Sequence, residues 1–375
     1  MSFMNILSDE MNRTIDQLGY EITTPIQEKA IPAILEGKDI IGQAQTGTGK
    51  TAAFAIPILE RINVNQRRVQ ALVLCPTREL AMQTTEAFRN LSKHLPGIQV
   101  LTVYGGQSIE HQIRALRGGV HIVVGTPGRL MDHMRRRTLR LLNVAVVALD
   151  EADEMLDMGF RDDIQEILAA TPDTRQTLLF SATMPKAILD LARKYQKNPE
   201  HIQIVNPTIT VDAVLQYYIE TFEHTKIDVL SALIRDQKSS LSLVFCKTKR
   251  RVDHLVETMR ARGHIVAGLH GGMSQRERDA VMFKFRKRTI DVLVATDVAA
   301  RGLDVSDVDA VFNYDIPQNA EYYVHRIGRT GRAGKAGKAF TLVVGRERLM
   351  IRDIQNHIRA KIVLLAAPVI SKTTV

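Results

Sequence analysis

At 375 residues, 45% hydrophobic and 24% charged, the chain is sized for about two soluble domains, and no apolar run nears the ~20 residues of a bilayer span, which excludes a membrane-spanning protein. Two distant cysteines in apolar runs, Cys75 and Cys246, and an N-terminus without a basic-then-apolar stretch argue against a disulfide scaffold, a zinc site or secretion. A reducing cytoplasm is the expectation. The formal net charge is +9, its entire excess falls after Pro207, and only 5% of residues are aromatic. A one-sided basic domain of this kind points to a polyanion met through phosphate and sugar rather than through base stacking.

The predicted elements alternate between short apolar strands and helical patterns, the signature of buried parallel strands with helical crossovers. After the strand Asp39-Ile40-Ile41 comes Ala44-Gln45-Thr46-Gly47-Thr48-Gly49-Lys50-Thr51, followed by the helical Ala52-Ala53-Phe54-Ala55. This is a P-loop in its strand-loop-helix context, with Ala44 where the simplest pattern has Gly. The glycines let backbone N–H groups wrap a triphosphate, Lys50 reaches the terminal phosphates, and Thr51 ligates magnesium at the helix start. Next come the strand Ala71 to Leu74, the strand His121 to Val124, and the strand Val144 to Leu149, which delivers Asp150-Glu151-Ala152-Asp153. Asp150 is expected to hold the magnesium and Glu151 to polarise the attacking water. The strand Thr177 to Phe180 leads into Ser181-Ala182-Thr183, where, taken alone, Ser181 or Thr183 reads as a helix N-cap.

The pattern then repeats. Leu72 to Thr77 is echoed by Leu243 to Thr248, Tyr104-Gly105-Gly106 by His270-Gly271-Gly272, Val123 to Thr126 by Leu293 to Thr296, and the strand ending in Asp150 by one ending in Asp315. Two α/β lobes of one architecture follow, with a boundary in Asn206 to Asp212 and lobes at 1–207 and 208–375. The second lobe has no P-loop. It offers His325-Arg326-Ile327-Gly328-Arg329-Thr330-Gly331-Arg332, an arginine at every third residue, as expected of guanidiniums fed into a phosphate cleft. The short basic runs Arg135 to Arg137 and Arg286 to Arg288 read as solvated faces at helix ends, with RNA contact as the alternative. The apolar stretch Leu364 to Ile370 either packs on the second lobe or marks a truncated extension.

Taken in order, the P-loop, Pro76-Thr77-Arg78-Glu79-Leu80-Ala81, Thr126-Pro127-Gly128-Arg129, Asp150 to Asp153, Ser181 to Thr183, Ala295-Thr296-Asp297 through Arg301-Gly302-Leu303-Asp304, and His325 to Arg332 resemble the motif set of the DEAD-box ATP-dependent RNA helicases, from Phe3 to about Val344. The resemblance implies an α/β fold of two tandem RecA-like lobes, each a mostly parallel sheet with helices on both faces. It implies ATP bound by Tyr20, Gln27, Ala44, Thr46, Gly47, Thr48, Gly49, Lys50, Thr51 and Asp304, with Gln27 pairing to the adenine edge and Tyr20 stacking on the ring. An amide offers one donor and one acceptor to the N6/N7 edge, the physical basis for ATP over GTP. Mg2+ falls to Thr51 and Asp150, and catalysis to Glu151, Lys50, Arg329 and Arg332.

By the same resemblance the RNA backbone is met by Arg78, Gly106, Thr126, Arg129, Arg278, Thr296 and Arg301, without sequence dependence. Asp153, Ser181, Thr183 and His325 couple hydrolysis to strand separation. Thr23 departs from the family's usual Pro, and Phe3 lies one residue nearer the adenine motif than usual. The function expected is RNA-stimulated ATP hydrolysis coupled to lobe closure and local separation of short duplexes by a monomeric cytoplasmic enzyme. The alternative is an ATP-dependent RNA clamp or remodelling scaffold with slow turnover; a DNA translocase of the wider two-lobed class is disfavoured.

Overall fold

Alternate residues of a strand face opposite ways, so a strand with helices above and below must be apolar throughout. The structure, a computed structural model, describes residues 4–20, 22–45, 47–204, 214–237, 241–300, 308–331 and 337–368. The chain divides into two compact units, Met1–Val205 and Asn206–Val375. The expected boundary Asn206 to Asp212 lies outside the described residues, as do Phe3, Thr46, Arg301, Asp304 and Arg332.

In the first unit, β1 (Ile40–Gln43), β2 (Ala71–Leu74), β3 (Val100–Val103), β4 (Ile122–Gly125), β5 (Val146–Leu149), β6 (Gln176–Ser181) and β7 (Glu200–Gln203) form a parallel sheet ordered β3-β4-β2-β5-β6-β1-β7. Val73, Val124, Ala148 and Phe180 pack with the helices Pro25–Leu35, Lys50–Glu60 and Arg78–Leu91 on one face. Leu72, Val123, Val147 and Leu179 pack with the helices Pro127–Arg135, Arg161–Ala169 and Lys186–Tyr195 on the other. Each such Val, Leu or Phe side chain contributes roughly 1.5–3 kcal/mol by leaving water. Two cores therefore clamp one sheet, and its edges of loops are what remain for function.

The second unit repeats this plan. Its strands are β8 (Val214–Thr221), β9 (Ser242–Cys246), β10 (Val266–Leu269), β11 (Val292–Thr296), β12 (Ala310–Asn313), β13 (Gly337–Val344) and β14 (Val363–Leu364), ordered β10-β11-β9-β12-β13-β8-β14. Every strand occupies the position of the strand seven earlier, so the repeat legible in sequence is the same topology built twice. β14 pairs with Tyr217 and Tyr218 of β8, and the Leu365 N–H donates to the Tyr218 carbonyl at 2.9 Å. The tail as far as Leu365 thus packs on its own lobe. Both cysteines are unpaired and buried, and burial pushes both thiols up.

Candidate functional site

In a parallel sheet every strand ends at the same edge, which is where ligands of open α/β folds bind. In the first unit β1 ends in the P-loop, β5 in Asp150 to Asp153 and β6 in Ser181 to Thr183, and these three strands are neighbours in the sheet. Gly47 and Gly49 adopt positive φ (84° and 86°), and Gly49 is the N-cap of the helix Lys50–Glu60. Ala44 has an ordinary backbone conformation and is buried, so the position does not require glycine. The Lys50 ammonium, 6% exposed, donates to the Ala44 carbonyl at 2.7 Å, and the Thr48 hydroxyl to the Gln45 carbonyl at 2.7 Å. Thr51 stands in the first turn of the helix.

Gln27 is tied to this loop. Its Oε1 accepts from the Thr24 N–H at 3.0 Å and its Nε2 donates to the Gly49 carbonyl at 3.2 Å. An amide oxygen has two lone pairs and an amide nitrogen two hydrogens. One of each is spent fixing the group, and one of each remains for a base edge. Tyr20, 39% exposed, follows the left-handed Gly19, and burial of the rest of its ring raises its pKa. Thr23, the departure from the family's Pro, donates its hydroxyl to Glu28 at 2.7 Å.

Asp150 is 2% exposed. Burial, and next the Glu151 carboxylate, push its pKa up to about 7 against the pull of Lys50. A buried carboxyl with that much unmet charge suits a divalent cation. Among the described residues there is no group of three His, Cys, Asp or Glu side chains that could hold a metal ion. The shift has a stability consequence. Its folded pKa is raised, so between the usual carboxylate range and about pH 7 the folded chain holds a proton that the unfolded chain lacks, and stability falls as pH rises through that window. In EDTA, Asp150→Asn is expected to melt above wild type near pH 8, the gap narrowing toward pH 5; a lower melting temperature at both values would refute this.

Asp153 links two of the loops. Its Oδ2 accepts from both the N–H and the hydroxyl of Thr183, each at 2.8 Å. Ser181 Oγ accepts from the Asp153 N–H at 3.3 Å and donates to the Thr183 carbonyl at 2.8 Å. The N-cap reading of Ser181 or Thr183 is therefore corrected: the next helix, Lys186–Tyr195, is capped at Pro185, and both hydroxyls serve the acidic loop instead.

The neighbouring strands β3, β4 and β2 carry the residues expected at RNA. Arg78 opens the helix after β2, behind Thr77, whose hydroxyl accepts from the Leu80 N–H at 3.2 Å. Gly106, after β3, has φ of 92°, and a Cβ there would overlap the Arg78 guanidinium. Thr126, after β4, is the N-cap of Pro127–Arg135, although its hydroxyl does not cap that helix. Arg129 donates from Nε to the Tyr104 carbonyl at 3.2 Å, from Nη2 to the Gln107 carbonyl, and from Nη1 to Asp132 at 3.3 Å. In this structure it braces the Tyr104 to Gln107 loop. Sequence reasoning missed two residues in the same network, Gln112 and His133, because a polar residue on a helix reads as surface.

In the second unit Arg278, half-buried, lies on the helix Gln275–Arg286 after β10, and Thr296 ends β11. Thr248 caps its helix as Thr77 does, accepting from the Arg251 N–H at 3.3 Å, so Lys249 is the counterpart of Arg78. His325 lies in the helix Ala320–Ile327, with Arg329 just beyond it; both line a small pocket with Phe245 and Tyr322. Arg326 departs from the arginine pattern. It is 3% exposed and donates to both Asp297 oxygens at 2.6 and 2.8 Å, to Asn313 Oδ1 at 3.1 Å and to the Asp315 carbonyl at 2.7 Å. It is a structural arginine, with four of its five N–H donors spent inside the lobe.

The corner of this unit equivalent to the P-loop is closed by its own charges. Lys226 is the first residue of the helix following β8 and its 3-10 turn, and Asp315 follows β12, the positions Lys50 and Asp150 hold in the first unit. Lys226 lies 3.6 Å from Asp315, which also pairs with Arg251 at 3.1 Å and accepts from the Lys247 N–H at 2.8 Å. Glu223 completes the cluster, 2.6 Å from Arg251 and 3.8 Å from Lys226. Lys226 and Asp315 are the buried pair of this cluster, and removing either one costs roughly 3–5 kcal/mol.

One working P-loop beside an acidic strand end, in the first of two like-folded parallel-sheet lobes, defines a P-loop nucleotide hydrolase with tandem RecA-like lobes. The comparisons narrow this. A family model for DEAD/DEAH box helicases matches residues 24–191, and one for the helicase conserved C-terminal domain matches residues 225–334. The DEAD-box ATP-dependent RNA helicase CshA of Geobacillus kaustophilus is 51% identical over 366 residues, 98% of this chain and 78% of that protein. CshA of Bacillus subtilis is 50% identical over the same length, 74% of that protein. The structure of S. cerevisiae Dbp5 bound to RNA and ADP BeF3 matches 97% of this chain and 95% of its own with a TM-score of 0.87 at 32% identity. The chain belongs to the DEAD-box RNA helicase family.

Proposed function

We propose that the chain is an ATP-dependent RNA helicase: RNA-stimulated ATP hydrolysis coupled to local separation of short RNA duplexes. The observation that carries this reading is the division of one sheet edge. The ends of β5, β6 and β1 hold the nucleotide residues, the ends of β3, β4 and β2 hold arginine, glycine and helix-start threonine suited to a phosphate chain, and the two sets meet at the adjacent strands β2 and β5. With glycines for close approach and no aromatic platform, the second set favours backbone contact over base reading.

In this reading Gly47, Thr48, Gly49 and Lys50 take the phosphates, and Gln27 and Tyr20 the adenine. Thr51 and Asp150 hold Mg2+, which when bound offsets phosphate charge, and Glu151 accepts the proton of the attacking water. Arg78, Gly106, Thr126 and Arg129 form the RNA contact of the first lobe, and Arg278, Thr296 and, outside the described residues, Arg301 that of the second. Asp153, Ser181, Thr183 and His325 relay the state of the nucleotide. Arg329, with Arg332 and Asp304, completes the ATP site on lobe closure. A monomer acting in the cytoplasm fits this reading.

ATP and RNA that each favour one closed state must raise one another's affinity by the same factor. Steady-state ATP hydrolysis with no nucleic acid, with single-stranded RNA and with single-stranded DNA, followed by release of a short RNA duplex, tests the whole. Stimulation by RNA and not DNA, with multiple-turnover duplex release, is expected. Long-lived RNA complexes with little turnover would instead select the clamp.

A further inference from the structure

The helix Ile109–Gly118 has one fully buried side chain, and it is a glutamine. Gln112 is 2% exposed, and His133 on the helix Pro127–Arg135 is 0% exposed. Polar groups so deep in a core destabilise it unless bonded, and these are bonded to each other. His133 Nε2 lies 2.9 Å from Gln112 Oε1, and Gln112 Nε2 donates to the Tyr104 carbonyl at 3.0 Å. A carbonyl can only accept, so the amide's orientation is fixed; its oxygen faces His133, and His133 Nε2 must carry the proton. At the other ring nitrogen, Nδ1 meets the Thr138 hydroxyl at 2.8 Å. Burial, and next the positive charge of Arg129, lower the pKa of His133 and favour the neutral ring.

The Tyr104 carbonyl also accepts from Arg129 Nε at 3.2 Å, so both its lone pairs are used. The peptide leading into Gly105 and Gly106 is held from two sides. One side is the half-buried Arg129; the other is a relay that runs from the half-buried Thr138 through the buried His133 and Gln112. We propose that Gln112 and His133 are positioning residues for RNA, which fix the Tyr104 to Gln107 loop in register with the phosphate chain without touching it. The proposal rests on the reading of that loop as an RNA contact.

Gln112→Leu and His133→Leu keep the bulk and remove the bonds. For each, the RNA concentration giving half-maximal ATPase stimulation is expected to rise about tenfold, with the rate at saturating RNA within about twofold of wild type. His133→Gln puts an N–H donor where Nε2 stands and is expected to restore the wild-type half-saturation. Lower melting temperatures with unchanged RNA half-saturation in the two leucine variants would mean a purely structural role and overturn the proposal. Should the leucine variants not fold, Gln112→Glu, which sets an oxygen against the Tyr104 carbonyl, is read in their place with the same expected rise. Gly106→Val, assayed in parallel, separates the two readings. If it too leaves half-saturation unchanged, the loop does not meet RNA and the underlying reading falls; if it raises half-saturation while Gln112→Leu and Gln112→Glu do not, only the positioning role is lost.

Discussion

Glu151→Gln is expected to lower RNA-stimulated ATP hydrolysis by about two to three orders of magnitude, the range for removing a positioned base, while ATP still binds. The substitution keeps the shape of the side chain and removes its ability to take a proton. Glu151 sits at a kink between β5 and the helix Ala152–Asp157, with φ of 50° and ψ of 54°. A non-glycine residue in that left-handed region costs roughly 1–2 kcal/mol, so its backbone is held there by its surroundings rather than by preference. Asp150, next to it and pushed up to about 7, is the poorer base in the intact site, because its charge is the one a cation would engage. Comparing hydrolysis with nucleotide binding for Glu151→Gln and Glu151→Asp checks this. A Gln variant within about tenfold of wild type would move the base elsewhere.

The second large effect is at Gly49. Gly49→Ala is expected to weaken ATP binding about a hundredfold and to narrow the preference for adenine over guanine. The residue has φ of 86°, and a Cβ on it would overlap Gln27 Nε2 and lie 3.2 Å from Gln27 Cδ. The methyl group therefore strains the phosphate loop and displaces the amide placed to read the base. Gly97→Ala is the matched control: φ is 92°, the nearest atom is Val64 Cβ at 3.5 Å, and the position is remote from the nucleotide residues. Isothermal titration with ATP and GTP distinguishes them; equal ATP affinities for the two variants would remove Gln27 from the site.

The fold was legible because parallel strands covered on both faces leave continuous apolar runs, and because an identical strand order built twice leaves motifs at near-constant spacing. The strand-loop-helix setting of the P-loop was legible for a related reason: a glycine-rich turn must lie between a strand and a helix, and the chain order says so. Arg326 was not. Arginine at every third residue looks the same whether the guanidinium meets a phosphate or Asp297, and only the folded chain brings Asp297 and Asn313 to it. Gln112 and His133 were hidden because their spacing is ordinary and because Gln112 answers to a main-chain carbonyl while His133 answers to Gln112 and Thr138. Ser181 and Thr183 carried the right residue type for a cap, but the acceptor that claims Thr183 is thirty residues earlier.

The closed corner of the second lobe bears on descent. If the two lobes arose by duplication of one ancestral unit, the second copy kept its lysine at the helix start and its aspartate after the strand, and lost the glycine loop that precedes the lysine. Lys226 now answers to Asp315 and Glu223, carboxylates of its own chain, where the ancestral lysine answered to a diffusible phosphate. The copy internalised its ligand. A lysine held by carboxylates of its own chain leaves that lobe without a phosphate loop of its own, and its share in the nucleotide reading falls to residues such as Arg329, just beyond the helix Ala320–Ile327.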